Sequence, residues 1–245
     1  RTEPAFDRSL GNAFFNRAEI IAAKVGDQWR FFAPSSRYMP YDSLPWSVEG
    51  EPALISDKDK PFFVDTPVSP PERSVRKRVA DLKLNDDGTI EGDIRIEYSG
   101  HLGASIKEQN DDASPAEREK SLSDEIKQQT MGTAEITSIS IENVTDGNKP
   151  FTYAFHIKIP AYADRTGKRL FLPPDIFERS TGPKFVKSTR KYDISFDYAW
   201  EESDDITIKL PAGYTAESTE LMPKITDDDG NLSCESKFEI SSDGS

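Results

Sequence analysis

The sequence predicts a mainly β protein with a minor helical part. Several short runs alternate apolar and polar side chains, which is the period of a half-buried strand. Asp-Gly pairs separate some of these runs, as they do in β-hairpins. Only residues 114–130 combine helix-start signals with helical spacing. We therefore expect a group of N-terminal strands followed by an antiparallel β-sandwich-like domain with one inserted helix.

The first strands are predicted in the N-terminal quarter of the chain. Gly26-Asp27 and a proline-containing loop separate three apolar runs, which read AEIIAAKV, DQWRFFAP and EPALI. Residues 60–73 then contain four prolines, which block helices and interrupt sheet ladders. We place the domain boundary there, with residues 1–66 as a first unit, 67–80 as a linker and 81–245 as a second unit.

The second unit is predicted from strands with one apolar and one polar face. Residues 79–100 carry Asp87-Gly88 between two alternating runs, which indicates a hairpin. Further strands are predicted at residues 151–159, 191–200, 204–210 and, with another Asp-Gly turn, 227–240. Strands of this kind are typical of antiparallel sandwiches.

The predicted helix has a complete set of start signals. Ser114 is a good N-cap residue, Pro115 suits the first helical position, and Glu117 completes a capping box. Its apolar stripe is thin and depends mainly on Ala116, Leu122 and Ile126. We therefore expect the helix to lie across one end or one face of the sheet.

Composition excludes some classes of partner. The formal net charge is -13, and most of the acidic excess lies after residue 80, which argues against binding to nucleic acid or to anionic membranes. No apolar run approaches the roughly 20 residues of a membrane-spanning helix, so we expect no membrane insertion within this chain. No signal peptide is present, and the first residue is not Met, which indicates a piece of a longer protein.

The order of several motifs points to a known family. Phe15-Asn16 opens one strand and Phe31-Phe32 lies in the next; YMPYDSLPW, Gly50, PALI and Thr66-Pro67 follow. In the second unit come FLPPDIF and KYDISFDYAWEESDDITIKLPAGY. In this order the motifs resemble bacterial exported proteins in which a transglutaminase-like domain precedes a β-rich domain of unknown function. The resemblance covers nearly the whole chain.

This sequence departs from that family at the positions of two catalytic residues. The resemblance implies a catalytic His where this chain has Arg17, and a His-orienting Asp where it has Ala33. Arginine cannot act as a base near neutral pH, and alanine offers no group to orient one. We therefore expect no catalytic residue here. The first hypothesis is a non-catalytic accessory or interaction module, which the resemblance places in the periplasm or at the cell surface.

Two other hypotheses remain open. The chain could be a peptide- or glycan-binding domain in which Arg17, Tyr41 and Trp46 line the former catalytic cleft; a guanidinium holds a carboxylate in a fork geometry. Alternatively, Arg17 is only a surface residue that pairs with Glu19 or Asp42. In the third hypothesis the chain is the C-terminal part of an active cysteine acyl-transfer enzyme, which needs an upstream Cys and a different base. The expected partner is an unknown protein, peptide or glycan, and no cofactor is expected.

Other polar candidates have ordinary structural interpretations. We interpret His101, beside glycines in SGHLG, as a turn residue, and His156 as part of a polar strand face. Two distant histidines without a nearby Cys do not form a zinc site. The acidic stretches 202–205 and 227–231 are predicted turns, although calcium binding is an alternative. Cys234 is assigned to the core, because it shares a strand face with Leu232, Phe238 and Ile240 and a free cysteine is often buried as a small apolar side chain. Trp29 and Trp200 are also assigned to the core.

Overall fold

The computed structural model describes most of the chain. The described residues are 8, 18–57, 60–130, 132–173, 176–177, 189, 191–192, 194–217 and 223–240. The strands of the first part are β1 (Ile21–Val25), β2 (Gln28–Phe32), β3 (Pro52–Ile55) and β4 (Phe62–Asp65). Those of the rest are β5 (Val75–Leu84), β6 (Ile90–Tyr98), β7 (Glu135–Glu142), β8 (Phe151–Ile159), β9 (Asp164–Thr166), β10 (Arg169–Phe171), β11 (Glu201–Lys209), β12 (Ile225–Thr226) and β13 (Ser233–Cys234). The helices are α1 (Gly100–Asn110) and α2 (Pro115–Gln129).

The mainly β class with a minor helical part is confirmed. The largest sheet has the strand order β11-β5-β6-β8-β7, while β1-β2, β3-β4, β9-β10 and β12-β13 are two-stranded ribbons. All neighbours in the large sheet are antiparallel except β11, which runs parallel to β5. Where two packed sheets were expected, the described residues hold this one large sheet, and helices pack on one of its faces.

The large sheet has a buried inner face and a polar outer face. Side chains alternate along each strand, so the inner face collects the apolar residues of the core. These are mainly Ala80, Leu82, Leu84, Ile90, Ile94, Ile96, Phe151, Tyr153, Phe155, Ile157 and Ile159. The outer face carries charged side chains such as Lys83 and Asp93, and His156 Nδ1 lies 3.0 Å from Asp93 Oδ1 there. The predicted face assignments of residues 90–98 and 151–159 agree with this arrangement.

The helices close the inner face. The predicted helix corresponds to α2, whose capping box is formed in both directions, with Ser114 N donating to Glu117 Oε2 at 2.7 Å. Leu122 and Ile126 of α2 enter the core. The prediction of one helix was incomplete, because residues 100–110, expected to begin as a turn at His101, form α1. Within the described residues neither helix is long and apolar enough to cross a membrane.

Several local predictions need correction. Residues 194–200 lie outside strands, and Tyr192 and Phe196 are exposed, so the predicted strand at 191–200 is wrong. The acidic stretch 202–205 lies inside β11 and is not a turn. Residues 75–80, expected in the linker, begin β5. The Asp-Gly turns at Gly88 and Gly230 do connect antiparallel strands, as predicted.

Two predicted core residues lie elsewhere. Cys234 is exposed on β13, which forms only a short two-stranded ribbon with β12 in the described part of the chain. Trp200 is half-buried, and its indole Nε1–H donates to Glu202 Oε1 at 3.0 Å. An indole with a partner at the protein surface is common, since its N–H needs an acceptor.

Polar contacts join the first part of the chain to the turn between α1 and α2. The Tyr38 hydroxyl donates to Asp111 Oδ2 at 2.8 Å, and Arg37 Nη1 donates to the same oxygen at 2.8 Å. The Tyr38 side chain is buried, and burial together with this hydrogen bond raises its pKa. The loop around residue 38 is therefore held against the turn between α1 and α2.

The core tyrosine Tyr153 makes stability sensitive to alkaline pH. Burial, with smaller contributions from Glu125 and Tyr98, raises the pKa of Tyr153 to about 12. In the unfolded chain a tyrosine ionises near pH 10. The unfolded state therefore loses its proton first, and stability is lost as pH rises from about 10 to about 12. We expect Tyr153→Phe to remove about 2 kcal/mol of the loss that wild type suffers between pH 9 and pH 11.5, measured by urea unfolding.

The matched control for this titration is Tyr192→Phe, since Tyr192 is largely exposed. That variant should keep the wild-type pH dependence. If Tyr153→Phe and wild type lose the same free energy of unfolding over this range, the assignment to Tyr153 is wrong.

Candidate functional site

One cavity lies in the first part of the chain. It has a volume of about 250 Å³ and is bordered by β2, by the loop after residue 41 and by the proline-rich segment before β5. Its lining residues are Gln28, Trp29, Arg30, Phe31, Asp42, Ser43, Leu44, Glu49, Pro67, Val68, Ser69, Pro70 and Arg73. We call this cavity the Arg30–Arg73 cleft.

A small apolar core lies next to the cleft. Phe31, Leu44 and Ile55 are buried together, and partly buried residues such as Trp29 pack around them. The Trp29 ring also lies 5.9 Å from the Phe62 ring of β4. Trp29 is thus half-buried, with part of its surface on the cleft, rather than a full core residue as predicted.

A buried threonine joins the two sides of the cleft. Thr66 Oγ1 donates to Val48 O at 2.6 Å and accepts from Glu51 N at 3.0 Å. Because buried hydroxyls need partners, these bonds fix the end of β4 against the turn at residues 46–48. The proline-rich wall that follows Thr66 is held in place by the same contacts.

Buried polar side chains that contact one another in series lie beneath the cleft lining, and we call them the floor of the cleft. The Glu49 side chain is 5% exposed, and Ser69 Oγ donates to its Oε1 at 2.5 Å. His101 Nε2 lies 3.5 Å from the same Oε1 and 3.0 Å from Leu44 O. His101 Nδ1 lies 2.9 Å from Ser74 Oγ, which also accepts the His101 backbone N–H at 3.1 Å.

These contacts assign a structural role to His101. They fit the tautomer in which Nε2–H donates to Leu44 O and Nδ1 accepts the Ser74 hydroxyl hydrogen. The ring also stacks on Tyr198, with centroids 4.6 Å apart. Because both ring nitrogens are engaged, His101 has no free lone pair to serve as a base for a bound ligand. Its place in α1, 4% exposed, replaces the predicted turn position.

Two arginines provide positive charge in the cleft that a ligand can reach. Arg30 and Arg73 are exposed, and neither forms an ion pair with the part of the chain that the structure describes. Asp42, also exposed, lies in the lining with φ 65°, a left-handed backbone conformation that aspartate tolerates better than most residues. Glu49 is turned into the floor. Two guanidinium groups are therefore accessible to a ligand.

Three of the predicted site residues, Ala33, Tyr41 and Trp46, lie within the described residues. Tyr41 is 72% exposed, its ring packs 5.4 Å from that of Phe32, and its backbone N–H donates to Asn148 Oδ1 at 3.3 Å. Trp46 is half-buried at the start of a 3-10 turn. Neither Tyr41 nor Trp46 is among the lining residues. Ala33 is half-buried against the small core, and Arg17 lies outside the described residues.

Sequence reasoning missed Arg30 and Arg73. Each looks like an ordinary solvated side chain, one on a short strand and the other beside prolines. The single usable signal is the Trp29-Arg30 pair, since an aromatic ring next to an arginine is common at binding surfaces. Among the described residues no group of three or more His, Cys, Asp or Glu side chains is arranged to hold a metal ion.

Comparison with known proteins covers the second part of the chain. Residues 168–241 match the DUF3858 family, a domain of unknown function with a solved structure. No curated protein and no solved structure matches the chain significantly. The matched segment includes β11 and the β12-β13 ribbon but none of the cleft residues. The transglutaminase-like resemblance of the first part stays a prediction.

Proposed function

We propose that this chain is a non-catalytic interaction module of an exported bacterial protein, acting in the periplasm or at the cell surface, and that it binds its partner in the Arg30–Arg73 cleft. The observation that carries the proposal is the cleft itself, whose lining brings Trp29, Arg30 and Arg73 to one concave site, with neither arginine in an ion pair among the described residues. Concave sites with an aromatic wall and a few polar groups are the usual form of ligand sites.

The chemistry of the lining supports binding over catalysis. Acyl transfer needs a nucleophile with an adjacent base, and the described lining contains neither Cys nor His. Ser69 donates to Glu49, but that carboxylate is buried in the floor and shared with the His101 contact. The replacement of the family's His and Asp by Arg17 and Ala33 points the same way.

A binding titration followed by nuclear magnetic resonance tests the proposal. The intact chain is titrated with neutral and acidic pentapeptides and with neutral and acidic tetrasaccharides. We expect at least one class of probe to shift the Trp29 indole and Arg73 amide resonances, because both residues line the cleft. Trp29→Ala should weaken that binding about tenfold or more, a typical cost for truncating an aromatic anchor.

Tyr192→Ala is the matched control, since Tyr192 is exposed and lies outside the lining. It should leave the affinity unchanged. The proposal fails if no probe shifts the cleft resonances at millimolar concentration. It also fails if the full-length protein shows thiol-dependent amide hydrolysis or transamidation that is abolished by changing one upstream Cys.

A further inference from the structure

The β2 strand presents an open edge to the cleft. Within the described residues β2 pairs only with β1. Four consecutive residues of β2, 28–31, line the cavity. Because successive side chains of a strand point to opposite faces, a run of four lining residues shows that the cleft follows the edge of the strand and not one face.

The register identifies the backbone groups that face outward. β1 and β2 are joined by a two-residue turn, and Val25 pairs with Gln28 across it. Such a closing pair is hydrogen-bonded, and hydrogen-bonded and non-hydrogen-bonded pairs alternate in antiparallel ribbons. Arg30 therefore bonds to β1 through its backbone, while the N–H and C=O groups of Trp29 and Phe31 point away from β1, along the cleft edge.

The opposite wall does not complete the ladder. The segment of the lining that follows β4 consists of residues 67–70, and Pro67 and Pro70 have no amide hydrogen to donate. The Ser69 hydroxyl is directed to Glu49 and not to β2. We infer that the cleft takes an extended peptide, which adds a strand to the open edge of β2 and places one acidic side chain against Arg30 and Arg73. This inference rests on the proposed function and names its ligand class.

The charges of the lining favour a single acidic side chain. Guanidinium groups bind carboxylates through paired hydrogen bonds, and Arg30 and Arg73 are exposed without ion pairs in the described chain. Asp42 in the same lining and the net charge of -13 both repel a run of acidic residues. One carboxylate therefore satisfies the arginines at the lowest electrostatic cost.

Backbone chemistry favours a peptide over a glycan. Strand addition gives affinity through main-chain hydrogen bonds and specificity through alternate side chains. An oligosaccharide has no regular array of amide groups with which to continue the ladder of β2. The outward groups of Trp29 and Phe31 thus match the repeat of an extended peptide.

The test uses the intact chain and three pools of acetylated, amidated pentapeptides. The first pool has a central glutamate flanked by mixed Ala, Thr, Val and Tyr; the second has glutamine instead; the third repeats the first with alternate amides N-methylated. We expect the glutamate pool to shift the Trp29 and Phe31 amide resonances and to slow their hydrogen exchange. The glutamine and N-methylated pools should each bind about tenfold more weakly, since each loses strong hydrogen bonds.

Variants then separate the two contacts. Arg30→Gln and Arg73→Gln should lower the affinity of the glutamate pool towards that of the glutamine pool. Arg95→Gln, the same change on the outer face of β6, should leave it unchanged. All three positions are exposed, so the fold should be retained, which the resonance spectrum verifies.

Each outcome decides the inference. Equal binding of the N-methylated pool would overturn strand addition, and equal binding of the glutamine pool would overturn the carboxylate contact. If only a neutral or acidic tetrasaccharide of the first titration shifts the cleft resonances, the peptide inference fails while the proposed function stands. If no peptide and no tetrasaccharide binds the cleft, both fail.

Discussion

Gly100→Ala is expected to lower the free energy of unfolding by about 2–5 kcal/mol. Gly100 begins α1 with φ +57°, a left-handed conformation that costs other residues about 1–2 kcal/mol. A Cβ there would lie 2.0 Å from Arg73 O and 2.6 Å from Ser74 Oγ. The carbonyl belongs to rigid backbone, so overpacking adds about 1–3 kcal/mol. Urea unfolding with a single probe in the large sheet measures the loss.

Gly167→Ala is the matched control. Gly167 has φ +64°, but no atom lies within 4 Å of the added Cβ. It should therefore show only the conformational cost of about 1 kcal/mol. If both variants lose the same stability, crowding at Gly100 is not the cause. Because the added Cβ would press on the Arg73 carbonyl, Gly100→Ala should also shift the amide resonance of Arg73, which lines the cleft, whereas Gly167→Ala should not.

Lys107→Met is expected to cost about 3 kcal/mol. The Lys107 side chain is 2% exposed, and its Nζ donates to Asp146 O at 2.6 Å and to Lys149 O at 2.5 Å. Methionine fills a similar space but cannot donate, so two carbonyl groups lose a charged donor. Hydrogen bonds to charged groups contribute about 1.5–3 kcal/mol each. Chemical unfolding at pH 7 measures the difference.

Lys83→Met, on the exposed outer face of β5, is the control and should cost less than about 0.5 kcal/mol. The pH dependence gives a second readout. Burial lowers the pKa of Lys107 below its usual 10.5, so between the folded and unfolded pKa values the unfolded state binds more protons. Wild type should therefore gain stability as pH rises towards 10.5, relative to Lys107→Met. A loss below about 0.5 kcal/mol in Lys107→Met would contradict the assigned role.

Local signals in the sequence predicted the elements that local chemistry determines. The capping box of Ser114 and Glu117 defines α2, and Asp87-Gly88 defines the β5-β6 hairpin. Both depend on residues within a few positions of each other. Neither needs information from distant parts of the chain.

The elements that were mispredicted depend on distant contacts. Residues 192–200 have strand periodicity, but their aromatic side chains pack against other aromatic rings. The rings of Phe196 and Trp200 lie 5.1 Å apart, and Tyr198 stacks on His101. α1 starts at a glycine and has weak helical signals, yet Ser74 and the core position it. Tertiary packing overrides local preference in both cases.

The binding role of Arg17, Tyr41 and Trp46 stays a prediction, and the cleft has a lining that the sequence did not indicate. The loop that contains Tyr41 and Trp46 does border the cleft, through residues 42–44 and Glu49. Arg30 and Arg73 were missed because 42 intervening residues fold back before the two side chains border one cavity. The spacing of residues within one segment does not predict which distant residues will lie close together in the fold.

The parallel edge strand also imposes an order of folding. β11 pairs with β5 across 126 residues of chain, whereas β5, β6, β7 and β8 pair within much shorter spans. Closing a long loop costs more entropy and slows pairing. On the ribosome the four antiparallel strands can assemble while β11 has yet to emerge. Until then β5 is an unpaired edge, which is the kind of surface that promotes aggregation. The DUF3858-matched segment thus supplies the strand that protects a sheet begun almost a hundred residues before it.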